Sequence, residues 1–571
     1  MSSNLNVMVG GEAGQGVQSV GFILAKALAR GGYHIFADQD YESRIRGGHN
    51  FYRVRAADSK VTAIAETLDI LLALNKESID LHKKELAAKG VMIFDSEKAQ
   101  DAAKLDNAFG VPLDRLAVEK AGDKLMANTV ALGASLGLVH YDLELLEQVL
   151  REHFTGGDSG EKNARAARAG YDYVRQNFKG DFVLRLGKIG NEQRLLLNGN
   201  DAMALGAIAA GCKFVAAYPM TPVTSLYEYL AAKADEFGMA VVPAEDEIAA
   251  INMIIGAGYA GVRAMTATSG SGFCLMTEGL GLAGMTETPI VVVEGQRPGP
   301  AIGLPTRTEQ GDLQFVLYAH QGDFPRVVLA PGTVEDCFWL TVKAFNLADR
   351  YQLPVIILTD QLLASSYVTV DKFDLSEVTI DRGSLYSETA AGEPVYRRYE
   401  INASGISPRA FPGQGKSLVV ADSDEHNEDG HLIEDAETRV RMMDKRMGKL
   451  AALGKESAPL ELYGPEKADT LLIGWGSTCG AIREAVDILS KAGSSVNSLY
   501  LSELCPFPAE AVAGLLDRAK RSYVIENNAT GQLARLIRTE TGKKVSCNIL
   551  KYDGRPFTPV YIAQEVTKEG R

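Results

Sequence analysis

The stretch Asn4–Asp40, NLNVMVGGEAGQGVQSVGFILAKALARGGYHIFADQD, sets the fold class of the chain. A short apolar run meets a glycine-rich turn. An amphipathic pattern of helical period follows, and a second apolar run begins at HIFA. Strand, turn, helix, strand in this order is the opening of a parallel βαβ unit. The turn GGEAGQG (Gly10–Gly16) would place backbone N–H groups at a helix N-terminus, where anions bind and where glycine permits close approach. Its spacing is not the dinucleotide fingerprint G-x-G-x-x-G, although Asp38 stands where a ribose-binding acid would.

The same alternation continues outward. After a polar stretch near residues 187–194, NEQRLLLNGNDAMALGAIAAG (residues 191–211) marks a fresh start. Helical patterns then alternate with the apolar runs PIVVVEG, RVVLA and PVIILTD, as buried parallel strands do. Residues 371–463 break the pattern with DSDEHNEDGHLIEDAE and then RVRMMDKRMGKL, a charged segment that reads as a solvated excursion or linker. From residue 464 the runs DTLLIGWG, VNSLYL and SYVIEN again alternate with helices. The reading is an α/β protein of three domains, with blocks at 1–190, 195–370 and 464–571 and the acidic excursion at 371–463.

Composition fits that architecture. A chain of 571 residues with 57 glycines has room for several α/β domains and their tight strand–helix turns. Nothing at the N-terminus resembles a secretory signal, and no apolar stretch approaches a membrane span, so a cytoplasmic protein is expected. A net charge of −14 argues against nucleic acid or an anionic membrane as partner. The cysteines, at 212, 274, 337, 479, 505 and 547, form no C-x-x-C pair and are poorly spaced for zinc or an iron–sulfur cluster.

One segment raises a chemical question. In VVPAEDEIAAINMIIGAGYAG (Val241–Gly261) three acids, Glu245, Asp246 and Glu247, precede a helix with almost no polar face, which should therefore be packed on most sides. First-turn acids often do no more than cap. A carboxyl held in a dry pocket is the sharper alternative, since desolvation makes such a group able to hold and return a proton. Helical spacing sets both Glu247 and Asp246 above apolar stripes and does not choose between them.

Other segments are built to hold side chains still. In YPMTP, Pro219 and Pro222 fence Thr221. ATSGSG (residues 267–272) opens another helix. GPAIGLPTRTEQGDL carries Arg307 on a proline-braced loop, where a guanidinium can fork onto a carboxylate or simply pair with Glu309 or Asp312. ESRIRGGH (Glu42–His49) places two arginines beside a Gly-Gly, either for an anion or as a solvated loop.

Together these segments resemble the 2-oxoacid:ferredoxin oxidoreductases, in the form where a gamma domain is fused ahead of the alpha chain. GGEAGQG and ESRIRGG resemble the gamma motif. YPMTP resembles the family's Tyr-Pro-Ile-Thr-Pro, with Met220 at the isoleucine. AEDEIAA, TATSGSG, GLPTRTEQGDL and SDEHNEDGH follow in the order of the alpha chain. The resemblance implies a gamma-type α/β domain, a pyrimidine-binding domain of the thiamine diphosphate type and a transketolase C-terminal-like domain. It also implies roles. Glu247 would be the carboxyl that polarises the aminopyrimidine ring, so that the neighbouring amino group can take the thiazolium proton. Thr221, with Tyr218 and Pro219, would lie near cofactor and substrate, and Arg307 would hold the substrate carboxylate. Gly14, Gln15, Gly16, Ser43 and Arg44 would serve coenzyme A.

The sequence lacks the Gly-Asp-Gly…Asn pattern that holds magnesium and diphosphate, and GGDSG at 156–160 is not it. The resemblance therefore implies a beta subunit bringing Mg2+ and a [4Fe-4S] cluster, in a dimer of heterodimers that passes electrons to ferredoxin. The expected substrate is 2-oxoglutarate, converted to succinyl-CoA and CO2 in either direction, with pyruvate or a branched-chain 2-oxoacid as alternatives. An NAD-dependent dehydrogenase and a non-catalytic assembly subunit are the readings from other classes.

Overall fold

The computed structural model describes residues 4–43, 47–190, 194–387, 396–415, 417–456 and 458–569. They gather into two compact units. One comprises Met1–Leu197 with Ser365–Lys372 and Thr558–Val560, and the other Asn198–Ala364, Phe373–Phe557 and Tyr561–Arg571. Among the described residues no helix is long and apolar enough to cross a membrane.

In the first unit, strand Asn4–Ala13, helix Val17–Arg30 and strand His34–Asp40 form where the opening stretch predicts them. The two strands run parallel but do not pair, which corrects the simple βαβ reading. Strand Gly47–Ala57 lies between them, antiparallel to both. Arg53 of that strand stands opposite Asp38, and its Nε donates to the Asp38 carboxylate at 2.9 Å. A cross-strand ion pair of this kind holds the register, and it occupies the acid that a nucleotide ribose would need. The helix packs so closely here that a Cβ on Gly21 would meet the Tyr52 ring at 2.2 Å. Strands Leu195–Leu197 and Tyr367–Val370, from the two ends of the segment read as a second block, complete this eight-stranded sheet.

The second unit holds two sheets. The seven-stranded sheet runs in the order Glu503–Cys505, Val327–Leu329, Pro354–Asp360, Ile290–Gln296, Ala264–Thr268, Phe214–Ala217 and Ala240–Pro243. All its pairings are parallel except that of Glu503–Cys505. The runs PIVVVEG and PVIILTD are buried at every position of their strands, as parallel strands covered on both faces must be. A five-stranded sheet centred on Thr470–Trp475 takes four strands from the last block and one, Leu462–Tyr463, from the end of the charged segment.

The segment read as a solvated linker is exposed or half-buried over most of its length, but one side of it carries buried charges. Its helix Ala436–Leu453 buries Lys445, Arg446 and Lys449. Lys445 Nζ donates to both Glu287 oxygens at 2.6 and 2.8 Å, Lys449 donates to the same carboxylate, and Arg446 forks onto Glu425 at 2.9 and 2.7 Å. Buried charges persist when each is paired and hydrogen-bonded, so charge density here marks an internal lattice of ions.

Candidate active site

In α/β sheets ligands gather at the carboxyl ends of the parallel strands. Five adjacent loops leave the seven-stranded sheet there, and four of them carry the residues of interest. Phe214–Ala217 leads into Tyr218, Pro219 and Thr221. Ala240–Pro243 leads to Glu247, Ala264–Thr268 to the SGSG turn, and Ile290–Gln296 to Arg297.

Helix Glu247–Tyr259 separates the two acids that sequence could not. Asp246 is the N-cap: its backbone is extended, and its carboxylate accepts from Ala249 N at 2.8 Å. Glu247, one residue on, is buried to 4% exposure. Its side chain lies against Gly272, where an added Cβ would sit 2.5 Å from Glu247 Oε1 and 2.1 Å from Thr268 Oγ1. The glycine is therefore required by space. Gly272→Ala is expected to displace the Glu247 carboxyl and abolish turnover, and as an overpacked site to cost about 1–3 kcal/mol in urea unfolding, too little to unfold the protein. Comparing the two readouts on purified variant checks it.

The helix is not packed on most sides, contrary to the expectation from its composition. Ile248, Asn252, Met253 and Gly256 form an exposed face, with Ile248 at 51%. Leu275 and Tyr218 are exposed as well. A helix apolar all round with one side open in the isolated chain has the character of an interface.

Thr221 sits in a braced turn. Its peptide bond to Pro222 is cis. The buried Asn200 side chain donates to the Pro222 carbonyl at 2.8 Å, and Arg297 Nη1 donates to the Thr221 carbonyl at 2.9 Å. Pro222 and Val223 pack on Gly295, where a Cβ would meet Val223 at 2.6 Å. Arg297, which sequence reasoning missed, is thus the guanidinium attached to the Thr221 turn, and it is buried. Arg307, on the loop that follows, has its Cβ 3.1 Å from the position a side chain on Gly554 would take. Asp312, read as a surface partner for Arg307, instead faces Gly270 and the buried Glu294. The available signal was the end of PIVVVEGQR: an acid and a base closing a buried parallel strand stand where α/β proteins carry chemistry.

The loop from Leu304 to Asp312 is fixed from the last block. Gln310 exchanges backbone and side-chain hydrogen bonds with Asn527, at 2.7 and 3.0 Å, and donates to the Trp475 carbonyl at 2.8 Å. This gives the ENNATGQL segment a structural task. Around the SGSG turn the hydroxyls of Ser269 and Ser271 are buried with no hydrogen-bond partner. Such orphaned groups beside a buried carboxyl and a side-chain-free glycine fit a planar, polar heterocycle such as an aminopyrimidine.

In the first unit, Gly14, Gln15 and Gly16 line a cavity of about 520 Å3 with Lys98, Lys124 and Asn128. Gly16 enters the helix at φ 71°, and a Cβ there would strike the Asn128 amide at 2.4 Å. Gln15 turns inward, its side-chain oxygen accepting from Glu12 N at 2.9 Å. Lys98 and Lys124 both reach Asp114 at 2.8 Å. Burial raises the Asp114 carboxyl, but bonds from the two lysines outweigh it and hold the group below its ordinary range. Ser43 is exposed, and Arg44 lies outside the described residues.

Comparison with known proteins places this geometry. Residues 205–445 match the thiamine diphosphate-binding model of pyruvate flavodoxin/ferredoxin oxidoreductases, residues 6–173 the pyruvate ferredoxin/flavodoxin oxidoreductase model, and residues 468–562 core domain II of pyruvate:ferredoxin oxidoreductase. The fold is thus that of a thiamine diphosphate-binding oxidoreductase subunit. The 2-oxoacid:ferredoxin oxidoreductase subunit alpha of a Sulfolobus species is 34% identical, over 97% of this chain and 95% of its own. The 2-oxoglutarate synthase subunit KorA of Archaeoglobus fulgidus is also 34% identical, over 66% of this chain and 99% of its own. The structure of 2-oxoglutarate:ferredoxin oxidoreductase from Magnetococcus marinus, with 2-oxoglutarate, coenzyme A and succinyl-CoA bound, covers all of both chains at a TM-score of 0.93 and 34% identity. The chain belongs to the 2-oxoacid:ferredoxin oxidoreductase family, as an alpha-type subunit.

Proposed function

We propose that this subunit, joined to a beta-type partner, carries out the coenzyme A-dependent oxidative decarboxylation of 2-oxoglutarate to succinyl-CoA and CO2. The two electrons released pass singly to ferredoxin, and the reaction is reversible. The observation that carries this reading is the buried Glu247 carboxyl at the start of a helix whose outer face is apolar and open. That is half of a cofactor site beside a surface suited to another subunit, which in this reading supplies Mg2+, the diphosphate contacts and a [4Fe-4S] cluster.

Thiamine diphosphate, when bound, supplies a nucleophilic carbon that adds to the 2-oxo group and stabilises the charge left when CO2 departs. Glu247 holds the proton shared with the ring nitrogen of the pyrimidine, in a site too dry for water to compete. The Ser269 and Ser271 hydroxyls, Tyr218 and Pro219 line the same end of the sheet. Thr221 faces substrate from a turn that Asn200 and Arg297 hold rigid. Of the two arginines, Arg297 is the better placed to receive the 2-oxoacid carboxylate, because it is already bonded to the Thr221 turn; Arg307 lies toward Gly554.

Residues 1–190 are assigned to coenzyme A, with the cavity at Gly14–Gly16 receiving its anionic end and Ser43 and Arg44 proposed as further contacts. Residues 195–370 form the pyrimidine domain, 371–463 its ion-paired extension and 464–571 the transketolase C-terminal-like domain. The match in full length to the Magnetococcus marinus enzyme favours 2-oxoglutarate over pyruvate or a branched-chain acid. Reduction of a one-electron acceptor by the chain co-purified with its partner, in the presence of coenzyme A, tests this. The expected ranking in kcat/KM puts 2-oxoglutarate first. A preference for pyruvate would move the substrate assignment, and no turnover with any 2-oxoacid would end it.

A further inference from the structure

Strand Ile290–Gln296 is buried along its whole length, yet it contains an acid. Glu294 has no exposed surface, and neither of its carboxylate oxygens accepts a hydrogen bond from an N–H or O–H donor. Its side-chain partner is another carboxyl, that of Asp312. Two carboxyls in contact in a dry site repel unless one keeps a proton, and then they bond through it. Burial and Asp312 push Glu294 well above its ordinary range, and burial brings Asp312 up to about 6 against the opposing pull of Glu294 and Arg297.

The groups facing this pair come from three elements. Arg297 follows the strand itself. The Cys274 thiol comes from helix Gly270–Leu275, and Glu309, raised to about 7 by burial and Asp312, comes from the loop ahead of Asp312. Arg297 alone among them is a cation. Asp312 also touches Gly270, at one end of the turn whose other end, Gly272, carries Glu247. Its backbone N–H donates to Gln296 at 3.0 Å, which ties the loop to the strand end. The pair therefore stands behind the arginine at the substrate end of the site.

We infer that Glu294 and Asp312 are positioning residues that share one proton and thereby set how strongly Arg297 holds the carboxylate of the 2-oxoacid. The inference rests on the reading of Arg297 given above. With the proton in place the pair carries one negative charge, which balances Arg297, so an incoming anion meets no net repulsion. With the proton lost, the two carboxylates and the guanidinium together carry one negative charge, which repels the substrate carboxylate. Affinity then falls as pH rises, while the decarboxylation step, governed at Glu247, is untouched.

The test uses the assembled enzyme and follows kcat and KM for 2-oxoglutarate from about pH 6 to about pH 9. Wild type is expected to show KM rising several-fold across this range with a flat kcat. Glu294→Gln keeps the shape, donates an N–H to Asp312 and fixes the pair at one negative charge, so its KM is expected to rise clearly less than that of wild type, keeping only the part owed to Glu309. Asp312→Asn removes the other carboxyl, so that the pair can no longer reach two negative charges, and stands in should the first variant fold poorly. A KM slope in both variants equal to that of wild type overturns the shared-proton pair. Arg297→Met separates the two readings: an unchanged KM there removes the arginine's role. The infrared band of protonated carboxyls, weaker by one group in Glu294→Gln than in wild type, reports the shared proton independently of substrate.

Discussion

Turnover of the assembled enzyme is expected to fall by about 10²- to 10⁴-fold when Glu247 becomes glutamine, the range over which a positioned proton-handling group acts. The substitution preserves volume and leaves an amide where the carboxyl stood against Gly272 and Thr268. What is lost is the ability to share and return a proton in a buried place. The KM values for 2-oxoacid and coenzyme A should move little, because Glu247 is assigned no contact with either. The comparison that gives the result meaning is Asp246→Ala. Asp246 caps the helix through Ala249 N, so its loss should cost about 0.5–2 kcal/mol of stability and change turnover only slightly. If instead Glu247→Gln turns over like wild type, the carboxyl is a packing group and the chain serves only to assemble its partner.

The two acids also show where sequence reasoning stops. Helical spacing placed both above apolar stripes, and only the backbone at the helix entry decided that one side chain turns back to the N–H groups and the other inward. The sheets were far more legible. PIVVVEG and PVIILTD announce themselves because strands buried on both faces have no reason to alternate. Strand Gly47–Ala57 was not legible, because His49, Arg53 and Arg55 interrupt its apolar positions; Arg53 is there to pair with Asp38 across the sheet. Arg297 and Glu294 were passed over for a related reason. They close an apolar strand, and a charge at such a place reads as the strand's end until the loops around it are known.

The charged segment, whose buried ion pairs the sequence reading did not anticipate, carries the strongest expectation about stability. Lys445 and Lys449, one helical turn apart, converge on the single carboxylate of Glu287, and all three are almost fully buried. Glu287 holds its place at φ 48°, a conformation uncommon outside glycine that persists only where the surroundings fix it. Removing its charge by Glu287→Gln leaves two ammonium groups in the interior, and a loss of about 3–5 kcal/mol in urea unfolding is expected. Lys449→Met should cost far less, because Glu287 keeps Lys445. Burial brings Lys449 from 10.5 down to about 7, despite the attraction of Glu287. Between these values the unfolded chain binds a proton that the folded chain does not, so the stability contribution of this lysine rises with pH across that window. Below it the lysine is charged in both states, and the desolvation cost is felt in full. Wild type should therefore gain on Lys449→Met as pH climbs from about 7 toward about 10. A stability difference between the two that is constant with pH would mean that Lys449 keeps its proton in the folded chain, and that the lattice tolerates both cations at once.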